Sequence, residues 1–310
     1  MKLRLGTRGS RLAMIQARWV ARRLERDGHE PEIVVIRTSG DRVQDRAFAQ
    51  VGTQGVFSAE IENALVERRI DVAVHSYKDL PSKSPDGLVV AAVPERVDPA
   101  DRLLARPDAL DEGGALRRGA RLGTASARRT ALWRALRPDV EIGLLRGNLP
   151  TRVARALDGT FDAVVLAAAG LDRIDRAAQD DPELALDRSG LVERRLDPEV
   201  FVPAPSQGAL ALQVRADDAG VREAIEAIDD REAHRAVRAE RELLARVEGG
   251  CQVPFGAWCV AATDGTFTLR AVLERGGRLR RARADGDDPL ALVDAVWREL
   301  TAGGEATDGR

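Results

Sequence analysis

Cys251 stands in the run EGGCQVPFG, behind two glycines and ahead of a proline, in a chain of 310 residues that holds only two cysteines. The glycines leave the backbone free to approach another group closely. A cysteine that turns over as a nucleophile needs a base or a positive field beside it, and no histidine lies close in sequence to supply one. A cysteine that only holds a covalent group needs neither, and a buried inert thiol is the commoner state. HSYKDLP follows the apolar run IDVAV, so Lys78 and Asp79 sit at or just past the carboxyl end of a strand. A carboxylate there can work as a general acid or base, or oppose a developing cation. A bare Lys-Asp pair before proline is also an ordinary surface turn.

Arginines gather at three similar junctions. GTRGSRLA puts Arg8 and Arg11 around Ser10, GTASARRT puts Arg128 and Arg129 behind Ser126, and LRGNLPTR carries Arg146 and Arg152. A serine cap, free N–H groups and guanidinium forks at a helix start together grip carboxylates or phosphates. One such junction is ordinary in a chain where all basic residues except Lys2, Lys78 and Lys83 are arginine. Three of them, at equivalent places, suggest a cleft for several anionic groups, and the guanidinium fork matches carboxylate geometry better than an ammonium does.

Other chemistries find little support. The three histidines have no partner at metal-ligand spacing. Neither G-x-G-x-x-G nor a P-loop occurs, and nothing accompanies Lys78 that would make a pyridoxal phosphate site. A formal net charge of −2 argues against a global nucleic-acid partner. No apolar run reaches membrane-spanning length, Arg4, Arg8, Arg11 and Arg18 break up any N-terminal signal, and sparse cysteines fit a reducing, cytoplasmic setting.

The elements that must hold these residues alternate in type. KLRLGT reads as a strand, SRLAMIQARWVARRLERDG as a capped helix, EIVVIRT as a strand, FSAEIENALVERR as a helix, and IDVAVHS and GLVVAAV as strands. The stretch SGDRVQDRAFAQVGTQG between them reads as a long polar loop. After PERVDPADR, which reads as a linker, the alternation repeats through RLGTAS, SARRTALWRAL, VEIGLLRG, NLPTRVARALDG and FDAVVLAAAG. Both halves therefore read as α/β with mostly parallel sheets. The charged stretch Asp172 to Asp197 reads as a surface excursion. ALALQVR reads as a strand, 217–247 as helical, and the remainder as a smaller α+β domain.

Taken together, LRLGTRGSRLA, HSYKDLPS, RLGTASARRT, LLRGNLPTR, LAAAGLDRI, PAPSQGALALQVR and EGGCQVPFGA resemble the hydroxymethylbilane synthase (porphobilinogen deaminase) family, over nearly the whole chain. The resemblance implies an α/β fold of two periplasmic-binding-protein-like domains plus a smaller α+β C-terminal domain. Residues 1–95 with 208–226 would form the first, 100–202 the second and 231–310 the third. It implies a transferase that joins four porphobilinogen molecules head to tail, with loss of ammonia, onto a dipyrromethane primer held as a thioether on Cys251. Water then releases hydroxymethylbilane. Asp79 would be the catalytic carboxylate. Arg8, Ser10, Lys78, Ser126, Arg128, Arg129, Arg146 and Arg152 would bind the cofactor. Arg8, Gln16, Ser76, Arg146, Arg152, Arg173 and Gln207 would bind substrate. No metal is implied, and a cytoplasmic monomer without nucleic-acid or membrane partners is.

Two departures stand out. The lid pattern that often carries lysines reads GTQGVFSAE here, with Gln54 and Ala59 at those places, and the region from Asp172 to Val200 is longer than usual. The alternative from another class is a non-catalytic organic-anion-binding protein of the same two-domain fold, since fold does not fix function.

Overall fold

The computed structural model describes residues 1–37, 58–247 and 253–302, so Gln54 and Cys251 lie outside the described residues. The described chain runs β1 (Lys2–Thr7), α1 (Arg11–Arg26), β2 (Glu30–Val35), α2 (Ala59–Val66), β3 (Val72–Ser76), β4 (Leu88–Ala92) and β5 (Asp101–Ala105). It continues β6 (Arg121–Thr124), α3 (Ala127–Leu136), β7 (Glu141–Leu144), α4 (Leu149–Leu157), β8 (Ala163–Ala167), α5 (Ala168–Asp180), β9 (Val192–Arg195) and β10 (Leu210–Arg215). It ends α6 (Ala219–Glu226), α7 (Arg231–Val247), β11 (Phe255–Ala261), β12 (Phe267–Arg275), β13 (Arg278–Gly286) and α8 (Leu292–Thr301). Contacts divide it into two units, 1–98 with 168–187 and 207–234, and 99–167 with 188–206 and 235–310.

In the first unit the strand order is β2-β1-β3-β10-β4. Ser10 begins α1, its hydroxyl accepting from the Ala13 N–H. The helix buries Ile15, Val20 and Leu24 while Arg18, Arg22, Arg23 and Arg26 face solvent. That face packs with Leu3, Leu5, Val72, Val74 and Leu212 into one core. Against the opposite sheet face, Ile61 and Leu65 of α2 form a second cluster with Ile70 and Ala73. Each fully buried Leu or Ile stabilises the fold by about 1.5–3 kcal/mol.

In the second unit the order is β7-β6-β8-β5-β9. Its core gathers Leu103, Leu122, Leu132, Val165 and Phe201. The same unit carries the antiparallel sheet β11-β12-β13, which packs with Leu243 of α7 and Val293, Val296 and Leu300 of α8. This is the α/β architecture expected: two five-stranded sheets and a smaller α+β part. Among the described residues, no helix is long and apolar enough to cross a membrane.

One expectation is revised and two are refined. In each larger sheet four strands run the same way, as expected, and one runs against them: β10 is antiparallel to β3 and β4, and β5 to β8 and β9. A strand buried on both faces carries no alternation from which direction could be inferred. The stretch from Asp172 to Asp197 is more than a surface excursion: it completes α5 and supplies edge strand β9. All four β9 residues, VERR, are exposed, so no hydrophobic period marked it. Finally, residues 168–187 group with the first unit rather than with 100–167. Arg11 donates to the Glu183 carbonyl at 2.6 Å, and Arg173 to the Gly208 carbonyl at 2.8 Å.

Candidate active site

In the first unit, β3 delivers its carboxyl end into a single 3₁₀ turn, Tyr77–Asp79. Tyr77 is buried and anchors the turn, its N–H bonded to the Ala209 carbonyl at 3.0 Å. Asp79 is left exposed. Beside it lies a small open cavity whose lining includes Arg8, Ser10, Gln16, His75, Ser76 and Asp79. Strand β1 and the start of α1 bring Arg8 and Ser10, the first buried turns of α1 bring Gln16, and β3 brings the rest. Gln16 is 3 % exposed. Its amide and the Ser76 hydroxyl approach each other twice, Nε2 to Oγ at 2.8 Å and Oγ to Oε1 at 3.2 Å. This fixes the cavity floor. A cation, a carboxylate and several hydroxyl and amide groups thus face one space at the carboxyl end of a sheet, where ligands of open α/β sheets bind.

Lys78, next to Asp79 in sequence, meets Gln207, and Arg173 reaches the adjoining Gly208. The Lys78 ammonium donates to Gln207 Oε1 at 3.1 Å, Arg96 Nε to the Gln207 carbonyl at 2.9 Å, and Arg173 to the next carbonyl, Gly208. Burial, with the Arg176 charge nearby, pushes the Arg173 pKa down to about 10, which leaves it cationic at neutral pH. Gly208 has φ +90°, and a Cβ there would meet the Val97 carbonyl oxygen at 2.4 Å, so glycine is required.

In the second unit the arginines do something the sequence did not reveal. Ser126 caps α3, accepting from the Arg129 N–H, but Arg128 and Arg129 turn inward and are each only 5 % exposed. Both grip the fully buried carboxylate of Asp101, one oxygen each, at 2.7 Å. Their other terminal nitrogens donate to the Val202 and Val165 carbonyls at 2.7 and 2.8 Å. Burial pushes the Asp101 carboxyl up, but the two adjacent cations outweigh it and hold the group well below the usual carboxylate range. Each guanidinium offers five N–H donors, and the buried Nε–H of both arginines lacks a partner among the described residues. Arg128 also underlies the start of β11. A Cβ on Gly256 would meet Arg128 Cδ at 3.0 Å and the Val202 and Pro203 carbonyls at 2.9 and 2.8 Å. Arg128 therefore lies against the strand that follows the Cys251 segment.

Arg146 and Arg152 share the β7–α4 junction, where Gly147 takes φ +112° and Asn148 caps the helix. Arg152 Nε donates to the Gly147 carbonyl at 2.8 Å, and Arg146 is exposed. Cys259 is 2 % exposed, inside the third sheet, and fits an inert core thiol. Its N–H bonds to the wholly buried Glu240, which also takes the Ser206 N–H, at 2.8 and 2.6 Å. Ala59, the first residue of α2, offers no charge toward a ligand.

Sequence reasoning missed Asp101 and Glu240. The one available signal was an acidic residue at the start of a mainly apolar strand, as Asp101 is in DRLLA.

Comparison with known proteins places these geometries in a family. The profile of the porphobilinogen deaminase dipyrromethane cofactor binding domain matches residues 3–223, and that of the porphobilinogen deaminase C-terminal domain matches 234–300. The chain belongs to the porphobilinogen deaminase family. A porphobilinogen deaminase of Brevibacillus brevis is 41% identical over 310 residues, covering 98% of this chain and 95% of that protein. Relatives of the same name from Syntrophobacter fumaroxidans and Desulforudis audaxviator are 43% and 44% identical, covering 96% and 94% of this chain and 96% and 92% of theirs. The gap between the two profiles, 224–233, spans the end of α6 and the first turn of α7.

Proposed function

We propose that the chain acts as a hydroxymethylbilane synthase, with Asp79 as its catalytic carboxylate and Cys251 as the point of attachment of a dipyrromethane cofactor. The observation that carries the reading is the cavity of the first unit, which sets the Asp79 carboxylate in the same space as Arg8 and Ser10. Porphobilinogen has complementary parts: a pyrrole N–H and an aminomethyl group to face a carboxylate, and two carboxylates to face a guanidinium.

The residues present fit the cofactor. Its acetate and propionate groups need donors, and the unpartnered buried Nε–H groups of Arg128 and Arg129 supply them without breaking the Asp101 pair. Ser126, Arg146, Arg152, Lys78, Arg8 and Ser10 are the further donors assigned to it. When bound, the dipyrromethane group supplies the free pyrrole α-carbon to which porphobilinogen units are joined.

Arg8 and Ser10 hold substrate carboxylates, with Gln16, Ser76, Arg146, Arg152, Arg173 and Gln207 completing its binding. Asp79 accepts the pyrrole N–H and opposes the positive charge that spreads over the ring as the C–N bond breaks and the amine departs as ammonia. A carboxylate aimed where charge develops lowers the barrier more than it strengthens ground-state binding. The new C–C bond forms at the same methylene carbon, and the α-proton is lost to restore the pyrrole.

Functionally, residues 1–95 with 208–226 carry the catalytic carboxylate, 100–202 the buried and exposed arginines, and 231–310 the cofactor cysteine. The protein works as a cytoplasmic monomer with no nucleic-acid or membrane partner. Supplied with porphobilinogen, the purified protein should consume it, release one ammonia per molecule, and yield a product that closes and oxidises to a porphyrin. Cys251→Ala should do none of this. A Cys251→Ala variant as active as the parent would overturn the assignment.

A further inference from the structure

Under the same cavity, on the sheet face covered by α2, three polar side chains are buried together. Gln213 of β10 is fully buried, Glu62 of α2 is 7 % exposed and His75 of β3 is 6 % exposed. Strands β3 and β10 are antiparallel, with Ala73 opposite Gln213 and His75 opposite Ala211. Gln213 and His75 are therefore diagonal neighbours on one face, within reach of each other. The Gln213 amide donates from Nε2 to Glu62 Oε1 at 3.1 Å and lies 3.4 Å from Ser84 Oγ. A carboxylate accepts, so the NH₂ side of the amide must face Glu62 and its oxygen must face away.

That leaves two buried atoms without a partner among the described residues, Gln213 Oε1 and His75 Nε2. Neither atom meets the other at hydrogen-bond geometry, but their side chains are the diagonal neighbours just described, so a small rotation of the amide or the ring brings the two together. A buried polar atom left unpaired costs about 1–3 kcal/mol. One assignment pairs both: Nε2 of His75 carries the proton and donates it to Gln213 Oε1. Burial holds the imidazole neutral, pushing its pKa down to about 4 against a smaller opposite effect of Gln213. The neutral ring then has Nδ1 as its only acceptor, and His75 belongs to the lining of the cavity that holds Asp79, Ser76 and Arg8.

We propose that Glu62, Gln213 and His75 form a buried relay that fixes His75 as its Nε2–H tautomer, so that Nδ1 serves as a further binding group, an acceptor for an N–H of the molecule in the cavity. The ligand class is an N–H donor, a pyrrole or an aminomethyl group, which Arg8 cannot recognise. A neutral acceptor suits this place, because an imidazolium would repel the cation that Asp79 opposes. The choice of ligand rests on the synthase reading, whereas the tautomer does not.

The test has two arms. With ring-¹⁵N histidine, the spectrum of the free protein contains only His29, His75 and His234, and substituting His75 identifies its signals. His75 should show a protonated Nε2 and a bare Nδ1 at pH 7, and Gln213→Leu should turn it into a tautomer mixture. An Nδ1–H tautomer or an imidazolium in the parent would overturn the relay whatever the protein's activity. The second arm compares His75→Asn with His75→Gln. Asparagine places an acceptor near the Nδ1 position, while glutamine places its amide near Nε2. The proposal predicts that Asn keeps KM for porphobilinogen near the parent's and that Gln raises it roughly tenfold, one hydrogen bond's worth. A purely structural histidine gives the opposite order, and that order would overturn the binding role. If neither variant folds, the parent's shift of the Nδ1 signal on adding porphobilinogen decides: a shift supports the role and a fixed signal refutes it.

Discussion

Asp79→Asn should lower kcat by roughly 10²–10³-fold with little change in KM or in melting temperature. The asparagine oxygen still accepts the pyrrole N–H, so ground-state binding survives. What disappears is the negative charge opposing the cation formed as the amine leaves, an interaction made fully only in the transition state. Stability should be almost unaffected, since Asp79 is exposed at the end of its turn and such substitutions lie within about 0.5 kcal/mol. Asp79→Glu keeps the charge but moves it by one methylene, so its kcat should lie between the two. Steady-state kinetics of the three proteins with porphobilinogen checks this. An Asn variant within threefold of the parent would remove Asp79 from the chemistry.

Asp101→Asn should destabilise the protein by about 3–5 kcal/mol, because it leaves two buried guanidinium groups sharing a neutral side chain. The effect arises from uncompensated charge rather than from lost attraction, so replacing Asp101, Arg128 and Arg129 together by Leu, Met and Met should cost much less than the single change. The same carboxylate makes the parent acid-sensitive. Its folded pKa lies below the unfolded value of about 3.9, so its stabilising contribution is complete above that pH and is lost as pH falls below it. Denaturant titrations at pH 7 and below pH 4 should therefore show the gap between parent and Asn variant narrowing on acidification. A gap that widens, or a single variant as stable as the parent at pH 7, would contradict the buried pair.

What was legible in the sequence, and what was not, follows from range. Strand β1, the cap at Ser10 and the placement of Asp79 past an apolar strand are local, and periodicity and capping chemistry reveal them. The burial of Arg128 and Arg129 is not local. Arginines behind a helix cap look alike whether they face a ligand or a carboxylate on a strand 27 residues earlier. His75, Gln213 and Glu62 meet only because β10 returns between β3 and β4, an insertion no spacing rule foretells. Edge strand β9 lacked a hydrophobic period because it buries nothing. The binding-protein alternative drew on the fold alone. The family match over both parts of the chain favours the synthase, because it includes the segments that carry Asp79 and Cys251.

The central claim is that Cys251 carries a permanent primer, and the intact mass of the purified protein, with the Cys251 peptide mapped, tests it most directly. An adduct of two pyrrole units on Cys251 is expected, present in the isolated protein or formed after incubation with porphobilinogen. A Cys251 that stays unmodified after such incubation would contradict it.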